Sequence, residues 1–268
     1  MIEYQFVLSD ENYEPLMAEL EALSFEGFWE DGNVLKGYVE QAPEPEAFQK
    51  ILQRYRVEKS TNSPMLETNW NAVWESNYSP ATFGDRLFIH GDHHQPSENH
   101  QLNIQIDPRM AFGTGHHETT SLIIEALLEL EEMPKSVLDN GCGSGVLAIL
   151  AAKQGAQRVV AIDNDPNAVE NARHNCTVND TKGVKVLEGT VNDVQEEPFE
   201  LVLSNITRNI NMELLPILST LIQFNGRLWL SGFYHDDVES VRSHATAVGL
   251  TCSILKQKNG WVLVELKL

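Results

Sequence analysis

The sequence predicts an α/β protein in which a doubly wound, mostly parallel sheet follows a smaller α+β module. Three observations carry that expectation. From Ser136 onward, short apolar runs alternate with helical patterns, the arrangement that makes a parallel sheet with helices on both faces. The last two apolar runs are separated only by Lys256 to Gly260, too short for a crossover helix, so the final strand must run antiparallel and close the sheet in a hairpin. Residues 1–60 instead follow the order β-α-β-β-α-β of a ferredoxin-like sandwich.

In that first part, residues 2–8 read as a strand and 11–23 as a helix with Leu16, Leu20 and Leu23 as its apolar positions. Ser24 to Val39 reads as a hairpin around Asp31-Gly32-Asn33, residues that accept the positive φ angles of a tight turn. Pro43 and Pro45 lead into a helix bearing Phe48, Ile51, Leu52 and Tyr55, and a last short strand ends near Lys59. The 1–60 domain has no obvious catalytic groups and is expected to be a substrate-recognition surface. Its 13 Asp and Glu against 5 Lys and Arg favour a basic partner. Thr61-Asn-Ser-Pro64 opens an expected linker over 61–69, and residues 70–268 form the second domain. Trp70 and Trp74, four apart, share a helix face; packing at the domain junction is the first reading and a hold on substrate the second.

In the second domain, strands are expected at 136–140, 158–163, 184–188, 199–204, 226–231, 250–255 and 261–267, with helices near 145–154, 166–178, 208–222 and 236–248. The most informative stretch is Val137-Leu-Asp-Asn-Gly-Cys-Gly-Ser-Gly-Val-Leu-Ala-Ile-Leu150, followed by Arg158-Val-Val-Ala-Ile-Asp-Asn-Asp-Pro166. An apolar run ends in Asp139, and Gly141, Gly143 and Gly145 then let the backbone close on a ligand. Asp163 lies about 20 residues beyond, where an acid accepts hydrogen bonds from ribose hydroxyls. Dinucleotide enzymes usually carry G-x-G-x-x-G, with amides at a helix N-terminus for the pyrophosphate. Here the run is Asp139-x-Gly-x-Gly-x-Gly with no basic residue waiting nearby for phosphate. It resembles motif I of the S-adenosylmethionine (SAM) methyltransferases. An ordinary crossover without a ligand and a nicotinamide-dependent oxidoreductase are the readings it displaces.

Composition limits the partners. The 268 residues are 42% hydrophobic, enough for a substantial core, with no apolar run of membrane-spanning length. Cys142, Cys176 and Cys252 have no C-x-x-C spacing, and the N-terminus lacks the basic start of a signal peptide, so a reduced, cytoplasmic protein is expected. Cys142 reads as a small filler of the glycine loop. A formal net charge of −20 disfavours nucleic acid as the main partner, because phosphate binding needs a basic surface, and suits a basic protein substrate.

Two further segments carry chemistry. Asp107-Pro-Arg-Met-Ala-Phe-Gly-Thr-Gly-His-His-Glu-Thr-Thr120 ends at an apolar helix, so Thr119 and Thr120 fall in its first turn, where a hydroxyl serves either as a cap or as a ligand contact. Leu201-Val-Leu-Ser-Asn-Ile-Thr-Arg208 is an apolar strand that delivers Asn205 to the carboxyl edge of the sheet, where ligands bind in open α/β folds. The Asn205 amide both accepts and donates, which suits it to hold an acceptor amine with the lone pair toward a methyl group.

Together, Asp107-Pro-x-x-Ala-Phe-Gly-Thr-Gly-x-His-x-Thr-Thr120, Asp139-x-Gly-Cys-Gly-Ser-Gly145, Asp163-x-Asp-Pro166 and Asn205-Ile206 resemble the ribosomal protein L-11 methyltransferase (PrmA) family. The likeness covers most of residues 70–268 and implies a SAM cofactor and methylation of lysine side chains or the α-amino group of ribosomal protein L-11. It also implies SAM contacts at Thr120 with Thr119 beside it, Gly143, Asp165 and Asn205; the residues themselves add Gly141, Gly145 and Asp163. Asp163 and Asp165 compete for the ribose, with Asp163 favoured. Arg109-Met110 and Ile89-His-Gly-Asp-His93 depart from the family's usual residues.

Six of the nine histidines fall in one stretch: His90, His93, His94, His100, His116 and His117. No H-E-x-x-H spacing accompanies them, and no metal site is expected. His116, on the signature loop, is the histidine expected to line the acceptor pocket. Methyltransferases acting on nucleic-acid amines often have Asn/Asp-Pro-Pro-Tyr/Phe at the fourth strand; Asn205 is followed instead by Ile-Thr-Arg.

Overall fold

The computed structural model describes residues 2–7, 14–21, 23–31, 34–55, 57, 59–64, 79–107 and 113–268. The chain divides into two compact units, Met1–Val73 and Trp74–Leu268. Trp70, Trp74, Arg109, Met110 and the turn residues Gly32 and Asn33 lie outside the described residues.

The first unit runs β1 (Ile2–Val7), α1 (Glu14–Glu21), β2 (Phe25–Asp31), β3 (Val34–Val39), α2 (Pro45–Arg54) and β4 (Lys59–Pro64). Its strands pair antiparallel in the order β2-β3-β1-β4. Alternation puts Tyr4 and Phe6 on one face of β1, and Leu35 and Val39 do the same from β3. Leu16 and Leu20 of α1 and Phe48, Ile51 and Leu52 of α2, spaced three and four apart, close the core over that face. Glu44 starts α2 by accepting from the amides of Glu46 and Ala47 ahead of the first-turn Pro45. Thr61–Pro64, expected as linker, is strand instead: Thr61 pairs with Gln5 and Pro64 with Ile2. Thr61, Asn62 and Ser63 are exposed on an edge strand, so their polarity reflects solvent while the backbone still bonds to β1.

The second unit holds a seven-stranded sheet built from β8 (Ser136–Asn140), β9 (Arg158–Asp163), β10 (Val184–Glu188), β11 (Phe199–Asn205), β12 (Ile222–Ser231), β13 (Thr251–Lys258) and β14 (Trp261–Lys267). The order is β10-β9-β8-β11-β12-β14-β13. All neighbours are parallel except β14, which is antiparallel to both β12 and β13 and sits between them. The central strands β8, β9, β11 and β14 are largely apolar because helices cover both faces, whereas the edge strands β10 and β13 are more polar and exposed. On one face α3 (Glu118–Leu128), α4 (Val146–Lys153) and part of α5 (Pro166–Val178) pack over Val137, Ala161, Leu203 and Trp229. On the other, α6 (Arg208–Thr220) and α7 (Val238–Ala247) pack over Leu138, Val160, Val202 and Leu230. A small sheet of β5 (Ala81–Phe83), β6 (Leu87–His90) and β7 (Leu102–Gln105), not foreseen as a unit, adds Leu87, Ile89 and Ile104 to the first layer.

From β8 the chain steps outward through β9 and β10, then returns to the other side of β8 with β11. The carboxyl ends of β8 and β11 therefore flank the point where the winding reverses, the place where open α/β sheets form a ligand crevice.

Candidate functional site

The glycine loop leaves β8 at that crevice. Gly141, Gly143 and Gly145 have φ of +69°, +52° and +79°, a region that side chains other than glycine rarely adopt. The amides of Gly141 and Cys142 both donate to Ile162 O, at 2.9 and 3.1 Å, tying the loop to the end of β9. A Cβ at Gly145 would lie 3.2 Å from Ala172 Cβ, so the third glycine lets α4 and α5 approach closely. Cys142 is buried and its thiol is pushed far above the usual range by burial, in keeping with a filler.

The two acids after β9 have different partners. Asp163 accepts from Gly143 N at 2.9 Å through Oδ2 and from Asp165 N at 3.0 Å through Oδ1, so its carboxylate bridges the loop and the strand end. Each oxygen keeps a second lone pair, and the residue is half-buried. Asp165 is exposed and caps α5, accepting from Asn167 N at 2.9 Å with Pro166 in the first turn. Asp139 is fully buried beneath the loop; its Oδ2 accepts from Ala148 N at 3.1 Å. Desolvation, with a smaller contribution from the nearby Asp163, raises its pKa to about 7.

The signature loop approaches from the other side. Ser144 Oγ donates to Gly113 O at 2.6 Å, and a Cβ on Gly113 would lie 2.9 Å from that Oγ, so the contact needs glycine. Asn175, fully buried on α5, accepts from Asp107 N and donates to Ser144 O, both at 2.9 Å. One side chain thereby ties the start of the signature loop to the glycine loop. The cap of α3 is made by His117, whose Nδ1 accepts from Thr119 N at 3.3 Å and lies 2.8 Å from Thr119 Oγ1. The His117 ring meets Trp261 edge-on at 5.0 Å, and Trp261 stacks on Tyr234 at 4.0 Å. With the cap supplied by His117, Thr120 turns its hydroxyl elsewhere. It accepts from Asn205 Nδ2 at 3.2 Å.

Asn205 thus joins the end of β11 to the first turn of α3. Its Oδ1 is buried and has no hydrogen-bond partner among the described residues. An orphaned buried acceptor is costly unless a ligand completes it. A loop of positive-φ glycines, a half-open carboxylate and this orphan at the winding reversal fit a nucleoside cofactor beside a hydrogen-bond-donating acceptor.

The structure brings Thr120 and Asn205 together, and likewise Gly143, Asp163 and Asp165; Gly141 and Gly145 shape the loop between. Thr119 is buried and engaged by His117. His116 is exposed, with Nδ1 3.2 Å from Thr114 Oγ1, and borders a cleft of about 530 Å³ lined by Phe83, Arg86, Ser121, Glu125 and Lys258 among others. Those walls include neither Asp163 nor Asn205. Sequence reasoning passed over Ser144, Asn175, Ser204 and Asn211. The available signal was a polar residue on an otherwise apolar stripe: Asn175 beside Ala168, Ala172 and Cys176, and Asn211 in line with Leu215 and Leu218.

Comparison with known proteins agrees with this geometry. The family described as ribosomal protein L11 methyltransferase (PrmA) matches residues 6–268. The ribosomal protein L11 methyltransferase of Bacteroides fragilis is 38% identical over 257 residues, covering 93% of this chain and 92% of that protein. The same-named protein of Porphyromonas gingivalis is 35% identical, over 94% and 90%. Among solved structures, the ribosomal protein L11 methylase of Lactobacillus delbrueckii subsp. bulgaricus aligns with a TM-score of 0.65 at 25% identity, over 71% of this chain and 98% of that one. The chain belongs to the ribosomal protein L11 methyltransferase (PrmA) family.

Proposed function

We propose that this chain transfers methyl groups from SAM to amino groups of ribosomal protein L11, on lysine side chains, at the N-terminus, or on both. The observation that carries the reading is the buried, unpartnered Oδ1 of Asn205 at the carboxyl edge of β11. SAM, when bound, supplies an electrophilic methyl on its sulfonium. Asp163 would hold the ribose hydroxyls, while Thr120, with Thr119 beside it, and the loop of Gly141, Gly143 and Gly145 would bound the rest of the cofactor. Asp165 contributes by capping α5 beside Asp163.

The acceptor amine donates an N–H to Asn205 Oδ1, which turns its lone pair toward the methyl group. Thr120 prevents the Asn205 amide from rotating, so the pair positions rather than activates, as suits an in-line displacement. A lysine of reference pKa ~10.4 must be neutral to react, which costs about 4 kcal/mol near pH 7.5. Partial desolvation lowers that cost by disfavouring the ammonium form, and the proton leaves to water. His116 is assigned to the rim over which the substrate side chain enters. The N-terminal module, which runs through Pro64 at the end of β4, serves as the substrate-recognition domain ahead of the catalytic domain over 70–268.

A cytoplasmic setting follows from a ribosomal substrate; among the described residues no helix is long and apolar enough to cross a membrane. The net charge of −20 favours a basic protein over RNA. The test is incubation with labelled SAM and either purified L11 or ribosomal RNA, followed by mass spectrometry. Label on L11 amino groups is expected; label on RNA, or none on L11, would overturn the assignment.

A further inference from the structure

Beyond Asn205 the chain makes a sharp exit from the sheet: Ile206 and Thr207 are the only residues between β11 and α6. Ile206 sits between two glycines that leave neighbouring strands, its peptide against Gly232 and its side chain against Gly141. A Cβ at Gly232, just after β12, would lie 2.0 Å from Ile206 O. A Cβ at Gly141, just after β8, would lie 2.4 Å from Ile206 Cγ2. Both glycines have positive φ, at +97° and +69°. The Ile206 peptide therefore packs directly on the Gly232 backbone, while its side chain fills the space a Cβ at Gly141 would need.

A buried polar chain crosses the same place. Asn140 Nδ2 donates to Ser204 Oγ at 2.9 Å, and Ser204 Oγ donates to Asn211 Oδ1 at 2.7 Å. Asn211 Nδ2 donates to Ile206 O at 2.9 Å and to Ser231 O at 3.0 Å. Ser231 Oγ continues to Val262 O at 2.7 Å. The chain links β8, β11, β12 and β14 in their order across the sheet. Ser204, Asn211 and Ser231 have zero exposure, so these bonds form in a dry, low-dielectric setting where each is stronger and each loss costlier than in water.

We infer that Asn211 is a positioning residue for methyl transfer: its side-chain amide, seated on Ser204 and the carbonyls of Ile206 and Ser231, fixes the backbone that aims Asn205. The inference rests on the reading of Asn205 as the group that faces the acceptor. Both amide protons of Asn211 and one lone pair of its oxygen are used, a set that no hydroxyl or apolar residue supplies. The bonds converge on the peptide next to Asn205, where a small rotation would swing Oδ1 away from the amine and release Thr120.

The experiment compares the full chain with Asn211→Leu, Ser204→Ala and Asn205→Ala, measuring kcat and KM on L11, Kd for SAM, and hydrogen exchange of the 205–207 peptide. For Asn211→Leu, kcat at saturating SAM should fall about tenfold or more, the worth of one or two lost hydrogen bonds. Its SAM affinity should stay within about threefold of the parent. Exchange at 205–207 should accelerate, and Ser204→Ala should show the same pattern more weakly. A folded Asn211→Leu with parental kcat overturns the inference, as does a loss explained wholly by weaker SAM binding. If Asn211→Leu does not fold, Ser204→Ala decides, and parental kcat there overturns it. Parental turnover in Asn205→Ala sinks the underlying reading of Asn205; loss in Asn205→Ala with none in the other two sinks only the role of Asn211.

Discussion

Asn205 Nδ2 donates to Thr120 Oγ1 at 3.2 Å, a bond between residues 85 positions apart that joins the fourth strand of the sheet to the first turn of α3. The bond orients the Asn205 amide so that its nitrogen is occupied and its oxygen is the free end. That polarity is what an acceptor amine requires, since the amine must donate to Asn205 while keeping its lone pair for the methyl group.

Asn205→Ala should therefore lower the single-turnover rate on L11 by about 10- to 100-fold, corresponding to roughly 1.5–3 kcal/mol for a hydrogen bond made in a buried site. SAM affinity should fall much less, because the oxygen serves the acceptor. Thr120→Val, which keeps shape and removes the hydroxyl, should give a smaller loss in the same direction. A rate unchanged in both variants would remove the amide from the mechanism.

The acids after β9 should separate by assay. Asp163→Ala is expected to weaken SAM by about 1–3 kcal/mol, since it removes the proposed ribose acceptor and also the anchor of Gly143 N. Asp165→Ala removes a helix cap and should cost about 1 kcal/mol of stability while leaving SAM affinity near the parental value. Calorimetric titration alongside thermal melts distinguishes the two. If Asp165→Ala is the one that loses SAM, the ribose belongs to Asp165.

Much of this arrangement is legible in the sequence, and the part that is not has physical reasons. Alternating apolar runs announced β8 to β12, and the glycine spacing located the loop, because both depend on local backbone demands. The placement of β14 between β12 and β13 was not legible: periodicity marks a strand but does not name its neighbours. β4 was hidden by its Ser-Thr-Asn-Ser composition, which an edge strand tolerates on its solvent side. Asn205 stood out at the end of an apolar run, whereas the orphaned state of its oxygen and the bond to Thr120 depend on contacts between distant segments. Asn211 left a trace as a polar residue in line with Leu215 and Leu218, but its partners Ser204, Ile206 and Ser231 lie outside its helix, in segments that the pattern does not name.

Asp139 predicts a specific pH dependence of stability. Its pKa rises to about 7 in the folded protein from an ordinary value of 3.8. Below the lower value both states hold the proton and the residue contributes no slope. Between the two values the unfolded chain ionises while the folded one retains its proton, so the folded state binds more protons and stability falls as pH rises. Above about 7 both are ionised and the full loss, on the order of a few kcal/mol, has been taken. The stability of Asp139→Asn relative to the parent should therefore improve steadily from pH 4 to pH 7, measured by urea unfolding at each pH. A constant difference across that range would mean that Asp139 ionises normally beneath the glycine loop.

The last prediction concerns the division of labour between the two parts of the chain. Every proposed cofactor contact lies at or beyond Thr119, and the seven-stranded sheet begins at Ser136, so a truncated chain beginning near Asn69 retains the whole crevice. It should bind SAM nearly as the full chain does and fail to methylate intact L11. The reason is electrostatic as well as steric: residues 1–60 hold 13 acidic against 5 basic side chains, and such a surface draws a basic partner through long-range attraction. Attraction of that kind is screened over a Debye length of about 8 Å at physiological ionic strength. For the full chain, KM for L11 should accordingly rise with added salt while the SAM dissociation constant barely moves. The truncated chain must first show a cooperative melt, so that lost turnover reports lost docking and not lost fold. Equal turnover on L11 by both chains, or a salt response shared equally by L11 and SAM, would refute the docking role of the N-terminal domain.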